Sequence, residues 1–176
     1  MDESQAPTAP ISLNNRAADI GKAVSREVAG AFGDAVTVLM HSPFHRAIFL
    51  PELEWLIAPG FACGQYAIAH RTDAKTGTQS AVGFVTWATV SDEVSRRLIA
   101  TNGKPRLKPE EWRSGKTAWL IEAAGEADAT RNLISSLVAK QFATSGLNVM
   151  QLGADGKYHA TRVEPKVEKP ADAAVN

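Results

Sequence analysis

The side chains best suited to moving a proton stand in His41-Ser42-Pro43-Phe44-His45-Arg46. Ser before Pro is the pattern that opens a helix: Pro43 suits the first helical position and Ser42 its N-cap. That reading predicts a short helix after Pro43, punctuated by Pro51 and Pro59-Gly60, with His45 in its first turn. A helix N-terminus carries partial positive charge and disfavours imidazolium, so His45 is expected to be neutral near pH 7, as a general base must be. The plainer reading has His45 hydrogen-bonding only its neighbours. Ser42 likewise has two readings, a cap or a nucleophile activated by the adjacent imidazole. His41 and His45 have i,i+4 spacing, but Pro43 interrupts the helix that would align them and no third ligand is nearby; no metal site is expected.

The second reactive candidate is Glu122, in the apolar run Ala118-Trp119-Leu120-Ile121-Glu122-Ala123-Ala124. A carboxylate in such a run is costly to bury unless it is paired or protonated. Strict strand alternation puts Leu120 and Glu122 on one face, Trp119 and Ile121 on the other. Either Glu122 points to water from an edge strand, or it faces a cleft with His45, where it would orient the ring and stabilise its charged form. Weaker candidates are the basic loop Lys104, Arg106 and Lys108, and the amides of Gly125-Glu126-Ala127-Asp128 ahead of a helix. Trp87, Trp112 and Trp119 read as core, and Cys63 as a small buried thiol.

The elements that must position these groups follow from periodicity. Apolar residues at Ile20, Val24, Val28, Phe32, Val36 and Leu39 predict an amphipathic helix over 17–40. Gln65–His70 and Ala81–Ala88 read as a hairpin around the turn-rich 73–78, and Ser91 caps a helix from Asp92 to Ala100. A strand over 117–123, a helix over 128–142 and a last strand pair, 147–152 and 157–163, complete the order. The layout is α/β, with a mixed, mainly antiparallel sheet flanked by helices.

The chain has 176 residues, enough for a single domain with its own core, read here as 16–164 between a polar leader, 1–15, and a charged tail, 165–176. Nineteen Lys and Arg balance nineteen Asp and Glu, which argues against a nucleic-acid binder with a broad basic face. One cysteine allows no intrachain disulfide and fits a reducing compartment. Neither a signal peptide nor a membrane-length apolar run is present, so a cytoplasmic location is expected.

Four blocks in order resemble the toxin-activating lysine acyltransferases, the HlyC-like partners of RTX toxins. They are Ser42-Pro43-Phe44-His45-Arg46; Gln65-Tyr66; Thr86-Trp87-Ala88 with Ser91; and Leu107 through Glu122. The resemblance covers roughly residues 35–150. It implies a fold similar to the GNAT acetyltransferases and transfer of a fatty acyl group from acyl carrier protein to internal lysines of a protoxin. It further implies a homodimer and no resident cofactor, the acyl carrier protein being the donor substrate. By motif His45 matches the family's catalytic histidine, Ser42 a serine linked to activity, and Glu122 stands where the family usually has aspartate. Glutamate keeps the charge but reaches ~1.5 Å further. The residues also admit a coenzyme A-dependent acetyltransferase, which the lack of a glycine-rich pyrophosphate loop disfavours, and a non-catalytic member that binds the protein partner.

Overall fold

The computed structural model describes residues 26–101 and 106–165. The leader over 1–15, residues 17–25 of the first predicted helix, and the tail beyond residue 165 lie outside the described residues, as does Lys104. Helix α1 spans Arg26–His41 and buries Ala35, Val38 and Leu39, the stripe that the three-and-four spacing requires. At its end Ser42 N bonds to the carbonyls of Val38 and Leu39 at 3.1 Å, and Pro43, lacking an N–H, stops the ladder.

The expected second helix at Pro43 does not form. His45 N and Arg46 N both bond to the Ser42 carbonyl, at 3.1 and 3.0 Å, making one isolated turn. Phe44, Phe49 and Leu50 in this stretch stay exposed and only Ile48 packs against the core, so a helix here would have little of the packing that sustains short helices. Regular structure resumes only with a 3-10 turn over Leu50–Glu52 and the short helices α2, Leu53–Leu56, and α3, Ala58–Ala62.

Five strands follow the predicted order: β1 Tyr66–Thr72, β2 Gln79–Val90, β3 Thr117–Gly125, β4 Leu147–Leu152 and β5 Tyr158–Val163. They lie side by side in sequence order, with every pairing antiparallel except β3 with β4. This is an α/β fold with a mixed sheet flanked by helices, compatible with a GNAT-like architecture. Helix α4, Asp92–Ala100, is capped by Ser91, whose Oγ accepts from Val94 N at 3.3 Å, and α5, Ala127–Gln141, joins β3 to β4.

Strand β2 lies inside the sheet between β1 and β3 and is buried from Gly83 to Ala88, and its alternate residues serve two faces. Phe84 packs with α1, while Ala88 and Val90 pack with α4 and Trp112; Val85 and Trp87 pack with Leu137 and Val138 of α5. Trp87, Trp112 and Trp119 are core residues, as expected, and Cys63 is half-buried. Opposite Thr86 and Trp87 the register of β3 slips by one residue, leaving Ile121 as a bulge between Glu122 and Leu120. Strict alternation therefore fails in β3. Leu120 packs with the α5 core, whereas Trp119 and Ile121 pack with the α4 core on the side that carries Glu122.

Strands β3 and β4 pair only at Trp119 and Asn148, where Asn148 Nδ2 also donates to the Ala118 carbonyl at 2.9 Å. Beyond that pair they part, and a cavity of about 290 Å³ opens between Ile121, Glu122, Met150 and Tyr158.

Candidate active site

The turn after α1 and the bulged strand β3 bring three side chains into one hydrogen-bonded line. His45 Nε2 lies 3.2 Å from Glu122 Oε1, and His45 Nδ1 lies 2.7 Å from Ser42 Oγ. The His45 and Glu122 side chains are 18% and 16% exposed, sheltered enough to strengthen the pair yet open to a reactant. Glu122 Oε1 also accepts from the amide of Ala123 at 2.9 Å, which fixes the carboxylate against its own strand.

These partners assign the ring protons. An ionised carboxylate can only accept, so Nε2 carries hydrogen toward Glu122. In the neutral ring Nδ1 is then the acceptor, and the Ser42 hydroxyl donates to it. Ser42 is thus not the N-cap of a helix: its hydroxyl serves the imidazole three residues on.

The hydrogen bond to Glu122 also overturns the expectation of a neutral imidazole held by a helix end. That bond, opposed by partial burial and aided by the carboxylate's charge, raises the His45 pKa above its ordinary 6.5. No helix starts at Pro43, so no macrodipole acts in the other direction.

Three spaces meet at this line. The cavity in the β3–β4 split reaches Glu122. A second, of about 180 Å³, is walled mainly by apolar side chains such as Leu39, Met40, Ile48 and Leu50, with His45 and Arg46 also in its wall. A third, of about 510 Å³, runs from Ser42 and Phe44 to Gly125 and Glu126 at the start of α5. The remaining candidates lie apart from the line or are otherwise engaged. Arg106 stacks over the Trp55 ring at 4.6 Å, and the amide of Lys108 donates to Glu111 at 2.8 Å. The Glu126 amide donates to the Val82 carbonyl at 2.8 Å, and its carboxylate pairs with Arg71.

One residue near the site was given no role from the sequence beyond its place in the Thr86-Trp87-Ala88 block. Thr86 lies directly across the β2–β3 ladder from Glu122 and directly across the β1–β2 ladder from Tyr66. The signal in the sequence was a lone hydroxyl within the apolar run Val82–Ala88.

Comparison with known proteins decides the family. The profile described as HlyC, RTX toxin acyltransferase family, matches residues 24–165. The chain belongs to the RTX toxin acyltransferase family. It is accordingly an acyltransferase. It is also similar to the lysine-acyltransferase RtxC of Vibrio cholerae, with 24% identity over 110 residues, covering 62% of this chain and 67% of that protein. In this RTX toxin acyltransferase the matched span contains Ser42, His45 and Glu122 together with all five strands. Among the described residues no helix is long and apolar enough to cross a membrane.

Proposed function

We propose that this protein moves a fatty acyl group from acyl carrier protein to internal lysines of an RTX-type protoxin, with His45 as general base, Glu122 as its orienting carboxylate and Ser42 as the proton's first stop. The observation that carries this reading is the unbroken line Ser42–His45–Glu122, open to apolar space on one side. A lysine amine is protonated at pH 7 and cannot attack a thioester until it loses a proton. Because Ser42 covers Nδ1, the proton passes from nitrogen to Ser42 Oγ while the hydroxyl's own proton moves to His45 Nδ1. The amine then forms the C–N bond and its nitrogen releases a second proton to solvent, while the C–S bond breaks and the imidazolium returns its proton to the departing thiolate. Glu122 keeps the ring in the useful tautomer and supports the positive charge that forms on it.

The surroundings fit such reactants. An acyl chain needs an apolar bed beside the base, and the space walled by Val36, Leu39, Met40, Ile48, Leu50 and His45 has that character. The narrow thioester arm of the carrier has a matching entrance in the gap where β3 and β4 part, at the C-terminal side of the parallel pair. Amides in the first turn of α5, across the third cavity from Ser42, lack acceptors within the helix and are suited to a developing oxyanion.

The test is acyl transfer followed by intact mass. The protein is mixed with acyl–acyl carrier protein and a lysine-containing acceptor of RTX type, and the acceptor is weighed. Mass gain that disappears in His45→Ala is expected. A folded His45→Ala protein that turns over normally would remove the reading, and equal use of acyl-coenzyme A would move the donor assignment to coenzyme A.

A further inference from the structure

Thr86 is fully buried, and its hydroxyl has no hydrogen-bond partner. Its neighbours along β2, Phe84, Val85, Trp87 and Ala88, are apolar and equally enclosed. Valine would fill this space with the same shape and no polar atom, so the hydroxyl carries a desolvation penalty that the fold does not recover. Such a group calls for an explanation outside packing.

Its position supplies one. Thr86 and Glu122 are the last regular pair of the β2–β3 ladder before the Ile121 bulge. Side chains directly opposite in an antiparallel pair have Cβ atoms about 4.5–5.5 Å apart, within reach for a hydroxyl and a carboxylate. A Cβ on Gly60 of α3 would stand 3.2 Å from both Cβ and Cγ2 of Thr86, so the methyl side of the threonine is pressed against that glycine. Glu122 Oε1 receives both His45 Nε2 and the Ala123 amide, whereas Oε2 has no hydrogen-bond partner among the described residues.

We infer that Thr86 is a positioning residue for Glu122, its hydroxyl donating to Oε2 once a small side-chain rotation brings the two together, so that Oε1 stays on His45 through the proton transfer. This inference rests on the proposed roles of His45 and Glu122. Thr86 touches no reactant and acts only through the carboxylate.

The test uses Thr86→Val and Thr86→Ser in the full-length chain, with Glu122→Gln alongside. Three quantities are read: the thermal midpoint, the His45 titration by NMR, and kcat and KM for acyl transfer. Thr86→Val is expected to fold, because valine keeps the threonine's shape in the same buried space. Its His45 pKa should fall toward 6.5 as Glu122 drifts, and kcat should drop about tenfold at constant KM. Thr86→Ser should restore both. Wild-type titration and turnover in Thr86→Val would overturn the inference. So would a Thr86→Val chain that fails to fold, which would make the hydroxyl structural, or a Thr86→Ser protein no better than the valine. Loss of turnover in Glu122→Gln but not in Thr86→Val removes only the inference. Full turnover in Glu122→Gln removes the proposed site as well.

Discussion

Glu122 holds His45 at 3.2 Å through the ring nitrogen opposite the one that Ser42 occupies. The imidazole is therefore committed on both sides before any substrate arrives. The direction of its pKa shift and its tautomer follow from these two contacts.

Removing the ring should stop the chemistry and spare the fold. His45 sits in an isolated turn with a partly exposed side chain, outside the three buried clusters. His45→Ala should reduce acyl transfer by about 10²–10⁴-fold, the usual contribution of a general base. Circular dichroism should be unchanged.

The pH dependence has a definite sign. In the proposed mechanism neutral His45 is the working form, so turnover should rise with pH through the raised folded-state pKa, with a midpoint above 6.5. In Glu122→Gln the carboxylate's charge is lost while burial remains, and the midpoint should move down. For stability the order reverses: the charged pair contributes fully below 6.5, the unfolded value, and is lost as pH climbs through the folded one. The difference in thermal midpoint between wild type and Glu122→Gln should accordingly narrow above pH 6.5. Identical acid limbs in the two proteins would contradict the pairing.

Glu122→Asp installs the side chain that the family resemblance implies at this position but withdraws the carboxylate by ~1.5 Å. The bulge at Ile121 and the turn at His45 set the gap for the longer residue. The variant should lose about 10–100-fold in turnover, and its His45 pKa should lie nearer 6.5. A rate equal to wild type would show that the gap adjusts.

Ser42→Ala separates relay from covalent catalysis. A relay predicts slower transfer, with no acyl adduct on the enzyme after mixing with donor alone. Intact mass showing one acyl group on wild type and none on Ser42→Ala would instead establish a serine ester intermediate.

Gly60→Ala probes the support beneath the site. The new Cβ would stand 2.8 Å from the Trp112 ring and 3.2 Å from Thr86, both fixed in the core. Destabilisation of about 1–3 kcal/mol is expected from such overpacking, read from denaturant unfolding.

Much of this molecule was legible in the linear chain. The apolar spacing of α1, the Ser91 cap of α4, the β1–β2 hairpin and the β4–β5 pair are local or near-local features, and local propensity with periodicity specifies them. The chemical types of Ser42, His45 and Glu122 stand in the chain directly, and their expected roles came from the family resemblance and not from periodicity. What tertiary structure alone decided is how they meet. Pro43 permits a helix, but of the apolar residues after it Phe44, Phe49 and Leu50 stay exposed, and a single turn forms that aims Ser42 at the ring instead of at a helix end. One extra residue in β3 breaks the two-residue alternation, because strand register is a property of the pairing and not of the strand. The His45 charge state followed suit: an imidazole takes its pKa from whichever group the fold sets beside it, and here that group is a carboxylate from a distant strand.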